Sequence, residues 1–108
     1  MRYEVLLTAD AVRDLEEIAD WISDHDAPAK AGHVLDRIEA AILALAQYPG
    51  RGHHPKELLE LGVREYRETL FKPYRIIYRV VGRRVYVYLV ADGRRDLQAL
   101  LARRLLAG

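Results

Sequence analysis

The fold is decided by residues 74–91, which read YRIIYRVVGRRVYVYLVA. Aromatic and β-branched residues dominate this run, and Gly82-Arg83 interrupts it at its centre. Such residues favour strands, and a two-residue connection is typical of a β-hairpin. We therefore predict two antiparallel strands on either side of Gly82-Arg83. The alternation of side chains places three apolar residues on one face of the second strand: Val85, Val87 and Leu89.

Two amphipathic helices are predicted near the N-terminus. Thr8 is typical of a helix N-cap, and apolar residues then recur at helical spacing as far as about Ser23. Pro28 suits the first turn of the second helix, which ends before Tyr48-Pro49-Gly50. Because the link between the two helices is short, we expect them to lie antiparallel as a hairpin.

Short strands and one further helix complete the predicted order. Residues 3–7 and 63–70 have strand character, residues 57–61 suit a single helical turn, and residues 97–105 carry leucines at helical spacing. The sequence therefore predicts one α+β domain over residues 1–108. Its order is β-α-α-β-β-β-α, with an antiparallel sheet packed against the helical hairpin.

Charge is divided unevenly along the chain. Residues 1–62 hold 6 Lys and Arg against 12 Asp and Glu, whereas residues 63–108 hold 11 against 4. Such asymmetry indicates a charged partner, although two halves that complement each other within one fold give the same pattern. The sequence has no cysteine, no apolar run near the roughly 18 residues of a membrane span, and too short an apolar start for a signal peptide. We expect a cytoplasmic protein without a membrane partner.

Five segments resemble the ParE/RelE family of toxins from bacterial type II toxin–antitoxin systems. In residues 74–80, an arginine precedes an apolar pair and a tyrosine, as in the central strand of that family. The ending from residue 93 to residue 105 is similar to the tail of ParE-type toxins. The order and spacing of the segments over nearly the whole chain identify it as ParE-like. The five segments are residues 7–18, 21–22, 42–49, 74–80 and 93–105.

The resemblance implies a small toxin that a cognate, ParD-like antitoxin holds silent in a hetero-oligomer. ParE-type members act on DNA gyrase, whereas RelE-type members cut messenger RNA on the ribosome. A non-toxic relic that only binds its antitoxin is a third reading. Because the fold is shared, it cannot distinguish these activities, and direct binding of nucleic acid stays open.

The nuclease alternative requires groups that move protons as well as cations that stabilise the phosphorane. By position, Arg75 and Arg95 match catalytic arginines of the RelE type. The late tyrosine of that type has no counterpart here, because no Tyr, His, Lys or Cys follows Tyr88. Glu65 or Glu68, on the strand before Arg75, would then have to act as the base. We therefore favour a non-enzymatic gyrase poison over a ribonuclease.

Three arginines are the predicted target-binding residues: Arg75, Arg94 and Arg95. Arg75 lies where the family places a cation. Arg94 and Arg95 stand just before the last helix, where positive charge opposes the helix dipole unless Asp92 and Asp96 compensate it. Such a cost indicates functional use. Arg103 and Arg104, in the last helical turn, instead suit the dipole and need no functional explanation.

Trp21 lies on the flank of the first helix, and we expect it either in the core or facing the antitoxin. The pair His53-His54 has no third ligand at motif spacing. We therefore interpret the pair as part of a loop and predict neither a metal site nor a cofactor.

Overall fold

Four strands form one sheet with helices on both of its faces. The computed structural model describes residues 2–106. The predicted order is confirmed, and the turn expected near residue 57 is a short helix. The elements are β1 Glu4–Leu7, α1 Ala9–His25, α2 Pro28–Leu43, α3 Lys56–Leu59, β2 Tyr66–Phe71, β3 Tyr74–Val81, β4 Arg84–Asp92 and α4 Leu97–Leu101, which a π-helical segment, Ala102–Leu106, continues. None of the helices in the described range has the length and apolar character that a membrane span requires.

The helical hairpin begins at the predicted residues. The side-chain oxygen of Thr8 accepts a hydrogen bond from the backbone nitrogen of Ala11 at 3.1 Å, which satisfies a free donor at the start of α1. Pro28 occupies the first turn of α2. The first helix continues to His25, two residues beyond the predicted end.

The sheet has the strand order β1-β4-β3-β2. The pairs β2–β3 and β3–β4 are antiparallel, as predicted from their short connections. The first strand differs, because it pairs in parallel with β4, with Glu4 opposite Arg84. Three helices, α1 to α3, separate β1 from the other strands along the chain, so no short connection requires an antiparallel neighbour. The sheet is therefore mostly, not wholly, antiparallel.

A β-bulge in β4 overturns the prediction that Val85, Val87 and Leu89 share one face. Residues 77 and 78 of β3 lie opposite Leu89 and Val87, so Tyr88 is an extra residue without a partner in the register. Val85 and Val87 therefore pack towards the helical hairpin, whereas Leu89 packs on the other face of the sheet. The alternation of side chains restarts after Tyr88.

Two apolar cores result, one on each face of the sheet. Because both faces are covered, β3 and β4 contain nearly continuous apolar runs. The first core lies between the sheet and the helical hairpin and includes Ala11, Leu15, Ile38, Ile42, Leu45, Ile76, Tyr78, Val85, Val87 and Val90. The second core lies between the sheet and the helices α3 and α4 and includes Leu58, Tyr66, Ile77, Leu89, Ala91, Leu97 and Leu101.

The loop between α2 and α3 packs closely on the sheet. Tyr78 is fully buried, and its hydroxyl donates a hydrogen bond to the carbonyl of Pro49. Gly52 lies against the same tyrosine, and a Cβ atom at this position would stand 2.6 Å from the carbonyl oxygen of Glu68. Only a residue without a side chain fits at Gly52.

A buried ion cluster joins α3 to strands β2 and β3. The guanidinium of Arg75 donates to both carboxylate oxygens of Glu57, at 2.7 and 2.8 Å. It also donates to both oxygens of Glu68, at 3.0 and 2.6 Å. We call these three residues the arginine–carboxylate cluster. The hydrogen bonds that Arg75 donates to Glu57 lower the pKa of Glu57 and raise the pKa of Arg75.

A second ion pair holds the C-terminal segment to the first helix. Arg104 donates to the two oxygens of Asp14 at 2.9 and 3.1 Å and to the carbonyl of Tyr88 at 2.9 Å. Asp14 also accepts from the backbone nitrogen of Val90 at 2.9 Å. The sequence explained Arg104 by the helix dipole, whereas the structure gives it a specific partner 90 residues away.

We predict that Gly52→Ala lowers the free energy of unfolding by about 1–3 kcal/mol, because its methyl group must displace backbone. Gly50→Ala is the matched control, since a Cβ there meets nothing within 4 Å. It should change the free energy by less than about 0.5 kcal/mol. Urea unfolding of both variants measures the difference. Equal unfolding midpoints of the two variants would show that there is room for a methyl group at Gly52.

The ion cluster also predicts how stability depends on pH. In the unfolded chain Glu57 titrates near its ordinary value of 4.5, whereas Arg75 lowers its pKa in the folded chain. Below 4.5 the unfolded chain therefore binds more protons, so this contribution to stability is complete above that pH and is lost as the pH falls through the folded pKa.

The test compares urea unfolding of the parent chain and Glu57→Gln from neutral pH to about pH 3. The variant should be less stable at neutral pH and should lose less stability in acid. Glu60→Gln removes the same charge from an exposed position on the same segment. Identical acid profiles for the two variants would contradict the prediction.

Candidate functional site

Arg75 is placed inside the protein rather than on an open surface. The exposed fraction of its side chain is 13%, and those of Glu57 and Glu68 are 13% and 7%. Two carboxylates thus surround one guanidinium, and the cluster carries a net negative charge. Contact between Arg75 and a target remains a prediction, but any phosphate or acidic group would have to compete with Glu57 and Glu68.

The two glutamates considered as a catalytic base have different surroundings. Glu68 is buried and bound by Arg75, so its oxygens are already occupied. Glu65 is exposed and lies just before β2. Neither residue is a free base beside the guanidinium of Arg75.

Arg94 and Arg95 lie at the turn between β4 and α4 and are exposed. Arg94 donates to Asp92 at 2.6 Å, yet 77% of its side chain remains accessible. These hydrogen bonds lower the pKa of Asp92. Asp96 instead caps α4, accepting from the backbone nitrogen of Gln98 at 3.1 Å. Of the two aspartates that were predicted to compensate the charge of these arginines, Asp92 forms an ion pair with Arg94, whereas Asp96 caps the helix.

Trp21 is exposed over 61% of its surface, so the alternative that it belongs to the core is wrong. Its ring stacks on His25 with 4.2 Å between the centroids. Two grooves of about 380 and 370 Å³ adjoin it, and Tyr74 and Arg94 line both. We call this surface the Trp21 groove. Trp21 and Arg94, which were predicted to contact different partners, both line this groove. Tyr74 also lines it and was not predicted as a site residue.

A concave surface of about 530 Å³ lies beside the groove, and we call it the basic bowl. Its lining includes five basic side chains above the buried pair of Arg75 and Glu68. They are His53, His54, Lys56, Lys72 and Arg94. The ring nitrogen Nδ1 of His54 lies 3.0 Å from the carbonyl oxygen of Tyr66. Within residues 2–106, no three His, Cys, Asp or Glu side chains are grouped to hold a metal ion.

The basic bowl was not predicted from the sequence, because its members come from separate segments. The sequence does place Lys72 directly after β2, which ends at residue 71, and so in the following turn. Lys56 and the two histidines come close to Lys72 only in the folded protein, through the position of α3 and of the loop before it. Chemically, the bowl offers hydrogen-bond donors and positive charge at its rim, above a floor where the charge of Arg75 is already neutralised.

Comparison with known proteins gives a consistent relationship over most of the chain. Residues 5–97 match the family model of the ParE toxin of the type II toxin–antitoxin system parDE. The chain is also 27% identical over 100 residues to Toxin ParE3 of Caulobacter vibrioides, covering 93% of this chain and 96% of that protein.

Solved structures show the same fold. The chromosomal ParDE system of P. aeruginosa matches with a TM-score of 0.71 and 20% identity, covering 84% of this chain and 96% of that one. A mutant of E. coli RelE in the free state gives 0.65 and 12%, covering 99% and 100%. The RelBE2 toxin–antitoxin complex of Mycobacterium tuberculosis gives 0.57 and 24%, covering 89% and 95%. Since the family model spans residues 5–97 of 108, the chain belongs to the ParE toxin family of type II toxin–antitoxin systems.

Proposed function

We propose that this toxin poisons DNA gyrase without cutting RNA, and that a cognate, ParD-like antitoxin neutralises it in a hetero-oligomer. Membership of the ParE family supports the choice of target, and the P. aeruginosa ParDE system supports the kind of partner. The observation that carries the proposal is the arginine–carboxylate cluster.

The cluster is unsuited to cleaving a phosphodiester bond. Cleavage needs positive charge directed at the oxygens that become negative in the transition state. Here the donors of Arg75 face Glu57 and Glu68, and both carboxylates approach within 3.0 Å. Two negative charges against one positive charge would raise the energy of a phosphorane at this place. Arg75 therefore contributes to the fold rather than to chemistry.

Ribosome-dependent cleavage of mRNA is the second candidate, and one observation favours it. His53 and His54 line the same basic bowl as Arg75. An imidazole can accept and donate protons near neutral pH, which is the function that the C-terminal segment lacks. The nuclease alternative thus has a specific pair of residues to test.

The exposed arginines and the Trp21 groove form the surface that we assign to the target and the antitoxin. Arg94, Arg95 and Trp21 all line this groove. An antitoxin segment in this groove would cover the arginines, so neutralisation would follow from occlusion. The segment is expected to be amphipathic and to fold on binding.

Our first functional prediction concerns the target. Expressed alone, the chain should stop DNA synthesis before translation, and the purified toxin should inhibit supercoiling by gyrase. Arg94→Glu/Arg95→Glu should abolish both effects at an unchanged thermal midpoint, because both side chains are exposed. Arg2→Glu/Arg64→Glu reverses two exposed charges elsewhere and should remain toxic.

Other results would select a different function. Ribosome-dependent cuts in translated mRNA, abolished by His53→Ala/His54→Ala or by Arg75→Ala, would replace the gyrase proposal with the nuclease. A chain that arrests neither process but binds its antitoxin would be the non-toxic relic.

The second functional prediction concerns the antitoxin. Trp21→Glu should weaken binding at least tenfold, or about 1.4 kcal/mol, because an exposed tryptophan is a typical anchor of an interface. Leu61→Glu is the matched control, since Leu61 is 54% exposed and does not line the Trp21 groove. Calorimetric titration with the antitoxin encoded beside the toxin measures both. Full affinity in Trp21→Glu would place the antitoxin elsewhere.

A further inference from the structure

The basic bowl brings together basic side chains from three separate segments. His53 and His54 come from the loop that leads into α3, and Lys56 is the first residue of that helix. Lys72 comes from the turn between β2 and β3, and Arg94 from the turn after β4. Residues so distant in sequence meet here because the ends of β2, β3 and β4 adjoin at one end of the sheet.

The lysines at the rim are available to a ligand. Lys56 and Lys72 are exposed, and no ion pair within residues 2–106 involves either of them. Among the lining residues of the bowl, Glu68 is the acidic one, and it belongs to the arginine–carboxylate cluster, whose net charge is negative. A phosphate would be held by the lysines at the rim and not by Arg75 at the floor. The rim therefore presents positive charge that the fold does not use.

We propose that the basic bowl binds the phosphodiester backbone of duplex DNA. Phosphate contacts need cations and N–H donors, and they do not require apolar anchors. The bowl meets this requirement with Lys56, Lys72 and Arg94. Binding of this kind positions the protein on the duplex without reading its sequence.

An acidic peptide fits the same surface less well. Peptide and protein partners are held mainly by apolar and aromatic anchors in pockets. Leu70 is the large aliphatic side chain that lines the bowl, whereas Trp21 and Tyr74 line the neighbouring groove. Cations such as Lys72 and Arg94 line both surfaces, but the aromatic anchors Trp21 and Tyr74 line the groove and not the bowl.

The choice of DNA over another phosphodiester rests on the proposed gyrase function. A gyrase poison acts where the enzyme holds duplex DNA, so a toxin seated on gyrase would have that DNA within reach. Arg94 lines both surfaces and places the bowl directly beside the Trp21 groove. A single orientation of the toxin would then present the groove to protein and the bowl to DNA.

The test is the salt dependence of DNA binding by the purified full chain. Fluorescence anisotropy with a labelled duplex should give weak binding that falls with salt and is equal for AT-rich and GC-rich sequences. Lys56→Ala/Lys72→Ala should weaken binding and reduce the slope of log K against log salt by about 1 for each lysine. Arg2→Ala/Arg64→Ala removes two charges from outside the bowl and should leave the slope unchanged.

Melting by circular dichroism checks that both double variants are folded. An unchanged slope in Lys56→Ala/Lys72→Ala, an equal loss in the Arg2/Arg64 control, or no DNA binding by the parent chain would overturn the proposal. Tighter binding of an RNA duplex or of poly-glutamate than of DNA would overturn the choice of ligand.

A supercoiling assay separates this inference from the proposed function. If the parent chain binds DNA through the bowl but never inhibits gyrase, the gyrase proposal fails and the bowl is supported. If the parent chain inhibits gyrase and the lysine variant has unchanged DNA binding, the gyrase proposal survives and the bowl fails.

Discussion

The hydrogen bonding of Arg75 is the interaction on which most of this structure depends. A guanidinium placed between a sheet and a helix must find acceptors, because burying an unpaired charge is costly. Glu57 supplies them from α3 and Glu68 from β2, so the cluster fixes the helix and the edge strand relative to β3. It also forms the floor of the basic bowl. The cation that resembles a nuclease residue is therefore used to hold the fold together.

The β-bulge at Tyr88 is what allows the sheet to have two cores. Without the extra residue, Leu89 would continue the face of Val87 and would point at the helical hairpin. With it, Leu89 and Ala91 turn towards α4, while Val90 stays with the first core. The C-terminal segment thus gains an apolar surface to pack on. That packing in turn places Arg94 at the rim of both candidate surfaces and Arg95 at the rim of the Trp21 groove.

Local signals in the sequence predicted the elements well, because their causes are local. Thr8, Pro28 and Gly82 each act through the backbone of their own turn, and Gly82 has the positive φ of 60° that this hairpin uses. The parallel pairing of β1 and the bulge were missed, since both depend on which distant strands meet. Contacts between side chains that are distant in sequence could not be predicted either. Arg104 and Asp14 are 90 residues apart, and nothing near either of them indicates the pair.

The candidate site could be predicted only in part, because residues from distant segments form it. The sequence identified Arg94, Arg95 and Trp21 individually, and the fold places them along one groove. Nothing in the sequence links Lys56 with Lys72, because the rest of α3, a loop and β2 lie between them. Arg94 and Lys72 line both surfaces, so the groove and the bowl share these two cations. If an antitoxin in the groove holds them, DNA in the bowl loses their charge. Linkage then requires that each ligand weaken the other by the same factor. Neutralisation of the toxin would on this basis act on both of its contacts at once.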